Sequence, residues 1–293
     1  MDWGLEFIER EFMNEILICI PNYNGEQYLS KLQKADRADI VVVDNASTDN
    51  SVQICKDKDI EVIESNVTVD RTENWIRCID YFRNSNYKWM KWLFIGDELD
   101  ENAVCLMKEA IEKYPSASVI VFNYAIIDST SEIIWRPAVN GSELRKAEIA
   151  EMLISGKNIF GSPISTMISR NAVEKVERVE LHNFRWAADV YMHYQIAKNG
   201  IIYFENQVIG KFVGTARKHY NKLQNSIWSS LEELELIRLI VSENPDIVGD
   251  DVWEQSGLEE CLLRAVSTNP KHKLCWKIVR RYLRFYERIR QQH

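Results

Sequence analysis

Two loops in the first fifty residues consist almost wholly of side chains that donate or accept hydrogen bonds. Pro21-Asn22-Tyr23-Asn24-Gly25-Glu26 follows the apolar run ILICI, and Asp44-Asn45-Ala46-Ser47-Thr48-Asp49 follows IVVV. Loops after buried parallel strands are where α/β proteins hold ligands, and these two are expected to hold a nucleotide. A carboxylate such as Asp44 can accept from a base N–H. The plainer alternative is that these residues cap the next helix; Ser47 and Asp49 are read that way, Asp44 as a ligand group. Two more acidic points stand downstream. Gly96-Asp97-Glu98-Leu99-Asp100 ends the apolar run KWLFI, and Trp186-Ala187-Ala188-Asp189 opens a helical stretch. Carboxylates at such places are able to bind cations or move protons. Acidic residues also favour helix N-termini without any chemistry; Asp100 and Glu101 are read as such.

The elements that must position these groups follow from periodicity. Residues 16–20, 40–43, 91–95 and 118–128 are short, β-branched and apolar on both faces, as in a parallel sheet. EVIES adds a strand. GEQYLSKLQKA, SVQICKDKD, ENWIRCIDYFRNS and AVCLMKEAIEKYP carry helical spacing. The order β-α-β-α-β-α-β-α-β predicts an open, mainly parallel sheet sandwiched by helices. After about residue 135 the rhythm changes: a helix over 143–156, a Gly161-Ser162-Pro163 turn, a strand at STMISR and a helix at NAVEKV. RWAADVYMHYQIAKNG reads as a helix and IIYFENQVIGKFV as two strands, and the chain from residue 226 onward reads as helical.

Taken in order, the I-P-N-Y-N-G, V-V-V-D-N-A-S-T-D, G-D-E-L-D and W-A-A-D stretches resemble family 2 glycosyltransferases, inverting enzymes of the GT-A fold that use nucleotide-activated sugars. The resemblance covers roughly the first 220 residues. It implies a GT-A-type domain over 1–222, with a nucleotide-sugar half at about 14–130 and an acceptor half at about 131–222, followed by a helical region over 223–293. It assigns base reading to Asp44 with Pro21 and Tyr23, joined by Asn22, Asn24 and Asn45. It gives Arg71 and Asn74 the nucleotide or its diphosphate, Asp97 the diphosphate and metal, and Asp189 the role of general base. Gly161, Ser162 and Trp186 fall on the acceptor side. The metal set implied is Asp97 with Glu98 and His219, holding Mn or Mg. Glu98 stands where many relatives carry Asp, and Ala188 where they often carry Glu, so the motifs are degenerate.

The implied reaction moves a sugar from a nucleotide diphosphate, UDP favoured, to a hydroxyl of a bacterial surface polysaccharide or lipid-linked oligosaccharide. Two rivals stand beside it. A nucleotidyltransferase would carry a Gly-rich basic phosphate loop, which PNYNGEQY lacks, and a catalytically silent scaffold could keep the fold with reduced motifs. A net charge of −8 argues against nucleic acid as partner. Six cysteines without CxxC spacing read as reduced thiols of a cytoplasmic protein. The N-terminal MDWGLEFIEREF does not read as a signal peptide, and no apolar run is long enough to span a bilayer. The basic, aromatic C-terminal stretch KHKLCWKIVRRYLRFYERIR reads either as a helix for an anionic membrane's inner face or as a terminal helix packed on the enzyme.

Overall fold

The computed structural model describes residues 14–33, 37–127, 131–139, 141–179, 181, 184–213 and 227–244. The runs that are apolar on both faces become β1 (Ile16–Asn22), β2 (Asp39–Asp44), β3 (Glu61–Ile63) and β4 (Trp89–Trp92). The helices joining them are α1 (Glu26–Leu29), α2 (Ser51–Asp57) and α3 (Arg71–Asn84). Next come β5 (Asp97–Leu99), α4 (Ala103–Lys113), β6 (Val119–Ile127), β7 (Glu132–Trp135) and β8 (Glu143–Arg145). The second half adds α5 (Lys146–Ile154), a 3-10 turn at Pro163–Ser165, β9 (Thr166–Ser169) and α6 (Arg170–Glu174). It continues with α7 (Ala188–Ala197), β10 (Ile201–Val213) and α8 (Ile227–Glu243).

Among the described residues the strands form one sheet ordered β3-β2-β1-β4-β9-β6-β10-β5, with β7 on β6 and β8 on β10. β3, β2, β1 and β4 are mutually parallel, and β10 runs parallel to β6. β9 is antiparallel to both β4 and β6. Alternate residues of β1 feed different layers. Leu17 and Cys19 pack with Trp75, Phe82, Ile149 and Tyr191 under α3, α5 and α7. Ile16, Ile18 and Ile20 pack with Leu29, Cys55 and Met107 under α1, α2 and α4. This is the helix-sheet-helix sandwich that the sequence order implied.

Chain order reverses at β1, whose neighbours are β2 on one side and β4 on the other. The crevice beyond the carboxyl ends of β1 and β4 is therefore the topological switch point, where open α/β sheets bind ligands. Pro21–Gly25 leave from one side of it, Leu93–Asp97 from the other.

Several elements differ from expectation. The helix read over GEQYLSKLQKA is the single turn α1. Residues 93–95 lie beyond the end of β4. The two strands read in 201–213 are one, because register shifts between Glu205 and Val208 and between Val208 and Lys211 absorb the polar Glu205-Asn206-Gln207 interruption. Residues 97–99, read as a loop, pair antiparallel with β10 at Gly210–Phe212. The pairing needs Gly210: a Cβ there would sit 2.3 Å from the Glu98 carbonyl oxygen. Of the cysteines described, Cys19, Cys55 and Cys78 are buried and Cys105 is exposed, all as free thiols.

Candidate active site

The nucleotide-side loops are laced to each other. Asn22 Nδ2 donates to Asp44 Oδ1 at 2.7 Å and to Ser47 Oγ at 3.1 Å. The Asp44 carboxylate also accepts from Ser47 N–H at 2.8 Å and from Ser47 O–H at 2.6 Å. Asp44 is 2% exposed, and three of its roughly four acceptor directions are filled, leaving one on Oδ2. Asn24 accepts from Thr48 N–H at 2.8 Å, and Asp49 accepts from the Glu26 and Ser51 N–H groups at 3.1 and 3.0 Å. Burial works against the Asp49 charge, but the bonds from Ser51 and Glu26 outweigh it and hold its pKa below the ordinary value. Asn24 (φ 52°) and Ala46 (φ 58°) occupy the left-handed region. Asn tolerates that region; Ala does so only where the surroundings over-determine it. Gly25 is required by proximity, since a Cβ would lie 2.2 Å from Asn22 Oδ1. Tyr23, 53% exposed, projects from this laced floor.

Asn45 and Asn74 brace rather than reach outward. Asn45 exchanges two 2.9 Å bonds with the backbone of Val69, and Asn74 donates to Val43 O at 3.0 Å while accepting from Arg77 at 2.9 Å. Their side-chain amides are taken up in fixing the turn that begins α3. Asp70 caps that helix through Thr72 N–H at 3.0 Å. Arg71 follows, stacked 5.0 Å over Trp75 and bonded to the backbone carbonyl of Arg185.

Asp97 is 8% exposed, and its N–H turns back to Phe94 O at 2.9 Å. Lys91 is fully buried, and its ammonium donates to the carbonyls of Ile164 and Thr166. Burial draws the Lys91 pKa down to about 7, and the charge of Asp97 opposes the fall. The same Thr166 meets α7: its hydroxyl lies 2.8 Å from His193 Nε2, and His193 Nδ1 lies 2.7 Å from the backbone carbonyl of Asp189. A carbonyl only accepts, so Nδ1 carries the proton, and Nε2 of the neutral ring faces the Thr166 hydroxyl, which also donates to Pro163 O at 3.0 Å. Burial holds His193 down to about 4, with Lys91 adding to the effect. A chain of hydrogen bonds thus runs from Lys91, which feels the charge of Asp97, through Thr166 and His193 to the backbone carbonyl of Asp189.

Asp189 is half-buried in the first turn of α7 and accepts from Val190 N–H at 2.9 Å. Trp186, just before it, donates its indole N–H to Glu233 at 3.1 Å. Gly161 (φ 67°) sits against Trp135 and Tyr124, where a Cβ would meet the Trp135 ring at 2.8 Å. Ser162 N–H donates to Tyr124 O–H at 3.3 Å. Pro21 is half-buried at the end of β1. Glu98, next to Asp97 on β5, projects from the opposite face and is exposed, so the two carboxylates do not present to one point. His219 and the basic C-terminal stretch lie outside the described residues.

Among the described residues no three His, Cys, Asp or Glu side chains gather as a metal cage. A single carboxylate does suit a six-coordinate Mg²⁺ or Mn²⁺ that takes most of its ligands from substrate phosphates and water. Lys91, His193 and Glu232 were not anticipated. A lysine inside the run WMKWLFI was a visible signal, since burial of Lys is rare. His193 stands one turn after Asp189. Glu232 gave none.

The geometry is that of an open α/β sheet of GT-A type, with polar loops laced together at its switch-point crevice. The model of the family described as "Glycosyl transferase family 2" matches residues 17–177, more than half of the chain. The chain belongs to glycosyl transferase family 2 and is a glycosyltransferase. No curated protein sequence matches it significantly. Among solved structures, S. aureus TarS 1-349 in complex with UDP-GlcNAc is similar at TM-score 0.63 and 16% identity, covering 89% of this chain and 76% of that one. The mannosyltransferase PcManGT from Pyrobaculum calidifontis, with GDP-Man and Mn²⁺, aligns at TM-score 0.56 and 11% identity, covering 96% and 84%. Glucosyl-3-phosphoglycerate synthase from Mycobacterium tuberculosis, with Mn²⁺ and UDP-glucose, aligns at TM-score 0.50 and 11% identity, covering 77% and 78%. At these identities the likeness concerns the fold. Family membership decides against the nucleotidyltransferase alternative. No helix among the described residues is long and apolar enough to cross a membrane.

Proposed function

We propose that the chain catalyses inverting transfer of a sugar from a UDP-sugar to an acceptor hydroxyl, across the crevice at the tips of β1, β2 and β4. The observation that carries this reading is the laced pair of loops at the switch-point crevice, where Asn22, Ser47 and the buried Asp44 bond one another and leave one direction of the Asp44 carboxylate open. Tyr23 and Pro21 offer a face to the base, and the open direction of Asp44 Oδ2 accepts a base N–H. Arg71 brings positive charge toward the diphosphate. Asp189 takes the proton of the acceptor hydroxyl as its oxygen attacks the anomeric carbon, and the diphosphate leaves from the opposite face. A divalent cation bound with the donor would be held from the protein side by Asp97 and would neutralise charge on the departing diphosphate. UDP-sugars in two structures of the same fold support this choice of donor, against GDP-Man in a third, and Mn²⁺ in two of them supports the choice of ion. The acceptor is read as a growing surface polysaccharide or lipid-linked oligosaccharide on the strength of the family resemblance.

The test is thermal stabilisation by UDP-, GDP- and dTDP-sugars with and without Mn²⁺. A donor at a hundred times its Kd adds about 2.7 kcal/mol. UDP-sugars are expected to give the largest shift, larger with Mn²⁺ and reduced in Asp97→Ala. A shift with GDP-sugars alone overturns the choice of base, and no shift with any donor overturns the reading.

A further inference from the structure

α7 starts without a local cap. Its N-cap residue is Ala187, which makes no side-chain cap bond. The first N–H groups of a helix and of the turn before it need partners. The partner here comes from 45 residues away: Glu232 Oε2 on α8 accepts from the backbone N–H groups of Arg185, Trp186 and Ala187 at 2.8, 2.5 and 3.0 Å. Three successive N–H groups converging on one oxygen form an anion-binding nest, filled by the protein's own carboxylate. Such bonds to a charged acceptor are about twice as strong as neutral ones. Glu233 takes the Trp186 indole N–H at 3.1 Å. At the far end of α7, Glu243 accepts from Tyr191, Tyr194 and Lys198 at 3.4, 3.3 and 2.7 Å. α8 therefore grips α7 at both ends, and at one end the grip falls two residues before Asp189.

We infer that Glu232 is a positioning residue of the transferase site: through the 185–187 turn it sets the direction of Asp189 and the placement of Trp186 at the acceptor. This rests on the reading of Asp189 as base. Glu232 touches neither donor nor acceptor; its effect passes through three backbone bonds, so it alters turnover while leaving nucleotide affinity alone. Displacing a reacting group by about 1 Å can cost on the order of a hundredfold in rate.

The experiment compares wild type, Glu232→Ala, Glu232→Gln and Asp189→Asn in the full chain, by amide hydrogen exchange and by UDP release from whichever UDP-sugar stabilises the protein. Glu232→Ala is expected to speed exchange at residues 185–191 by at least about tenfold, leaving β1, β2 and α3 unchanged. It is also expected to lower kcat by about thirtyfold to a hundredfold with KM for the donor within about twofold. Glu232→Gln keeps an acceptor oxygen without the charge and should recover most of the protection, with kcat between the two. If Glu232→Ala does not fold, Glu232→Gln carries the comparison, and wild-type kcat and wild-type exchange in it would overturn the inference. Unchanged exchange in Glu232→Ala overturns it, and so does wild-type kcat there beside an inactive Asp189→Asn. Wild-type turnover by Asp189→Asn instead sinks the assignment of the base while the exchange result still decides the clamp. Where no donor turns over, exchange alone decides, and the transferase reading has failed separately.

Discussion

The two flanks of the crevice are built in different ways. On the side proposed for the donor, residues 22–26 and 44–51 bond to each other directly, so this floor is complete within some thirty residues of chain. On the side proposed for the acceptor, the Asp189 backbone carbonyl is bonded by His193, which meets Thr166, which shares Lys91, while Glu232 fixes the preceding turn from α8. Those partners are drawn from β4, β9, α7 and α8. A flank made of adjacent loops tolerates change elsewhere in the molecule; a flank assembled from four distant elements depends on the packing of all of them.

Asp189→Asn sharpens this contrast most. It should lower turnover by about 10²–10⁴-fold, the usual worth of a general base, with the UDP affinity seen by calorimetry unchanged. A parallel loss of UDP affinity would mean that the flanks are not separable. Gly25→Ala attacks the other side. Its Cβ must displace the Asn22 amide, so a loss of about 1–3 kcal/mol in urea unfolding is expected, together with weakened UDP binding.

Smaller effects come from the buried titrating pair. His193 has a folded pKa of about 4 against an ordinary value of 6.5. The unfolded chain therefore takes up its proton first as pH falls, so stability is intact above about 6.5 and drops between 6.5 and 4. His193→Gln should flatten that slope in urea midpoints. For Lys91, at about 7 against 10.5, the unfolded chain holds the proton between those values while the folded one does not. Stability therefore rises with pH across that window. Lys91→Met, similar in volume and uncharged, should remove the rise at a cost under about 1.5 kcal/mol.

The same contrast explains what could be read in advance. Strands apolar on both faces, with ILICI and IVVV ending in Asn- and Asp-rich loops, announce a parallel sheet and its ligand edge, because burial and turn chemistry are written locally. Asp44 stands out for the same reason, and in the structure its neighbours claim most of its carboxylate. Asn45 and Asn74 carry the residue type expected of ligand groups, yet their amides brace backbone; sequence shows the type and not the direction. Glu98 misled because adjacent acids look like a pair until a strand sends them to opposite faces. Glu232 was invisible, since a Glu in LEELELIRLIV looks like any solvated helix face until the fold sets it beside residue 187. The single β10 was concealed by its polar interruption, which register shifts accommodate.

The most direct measurement is the crystal structure of the chain with UDP and Mn²⁺. The account predicts the uracil against Tyr23 with an N–H toward Asp44, the diphosphate beside Asp97, and Asp189 facing the β-phosphate side across an open gap. Density for UDP away from the tips of β1 and β4, or a nucleotide touching neither Asp44 nor Asp97, would contradict it.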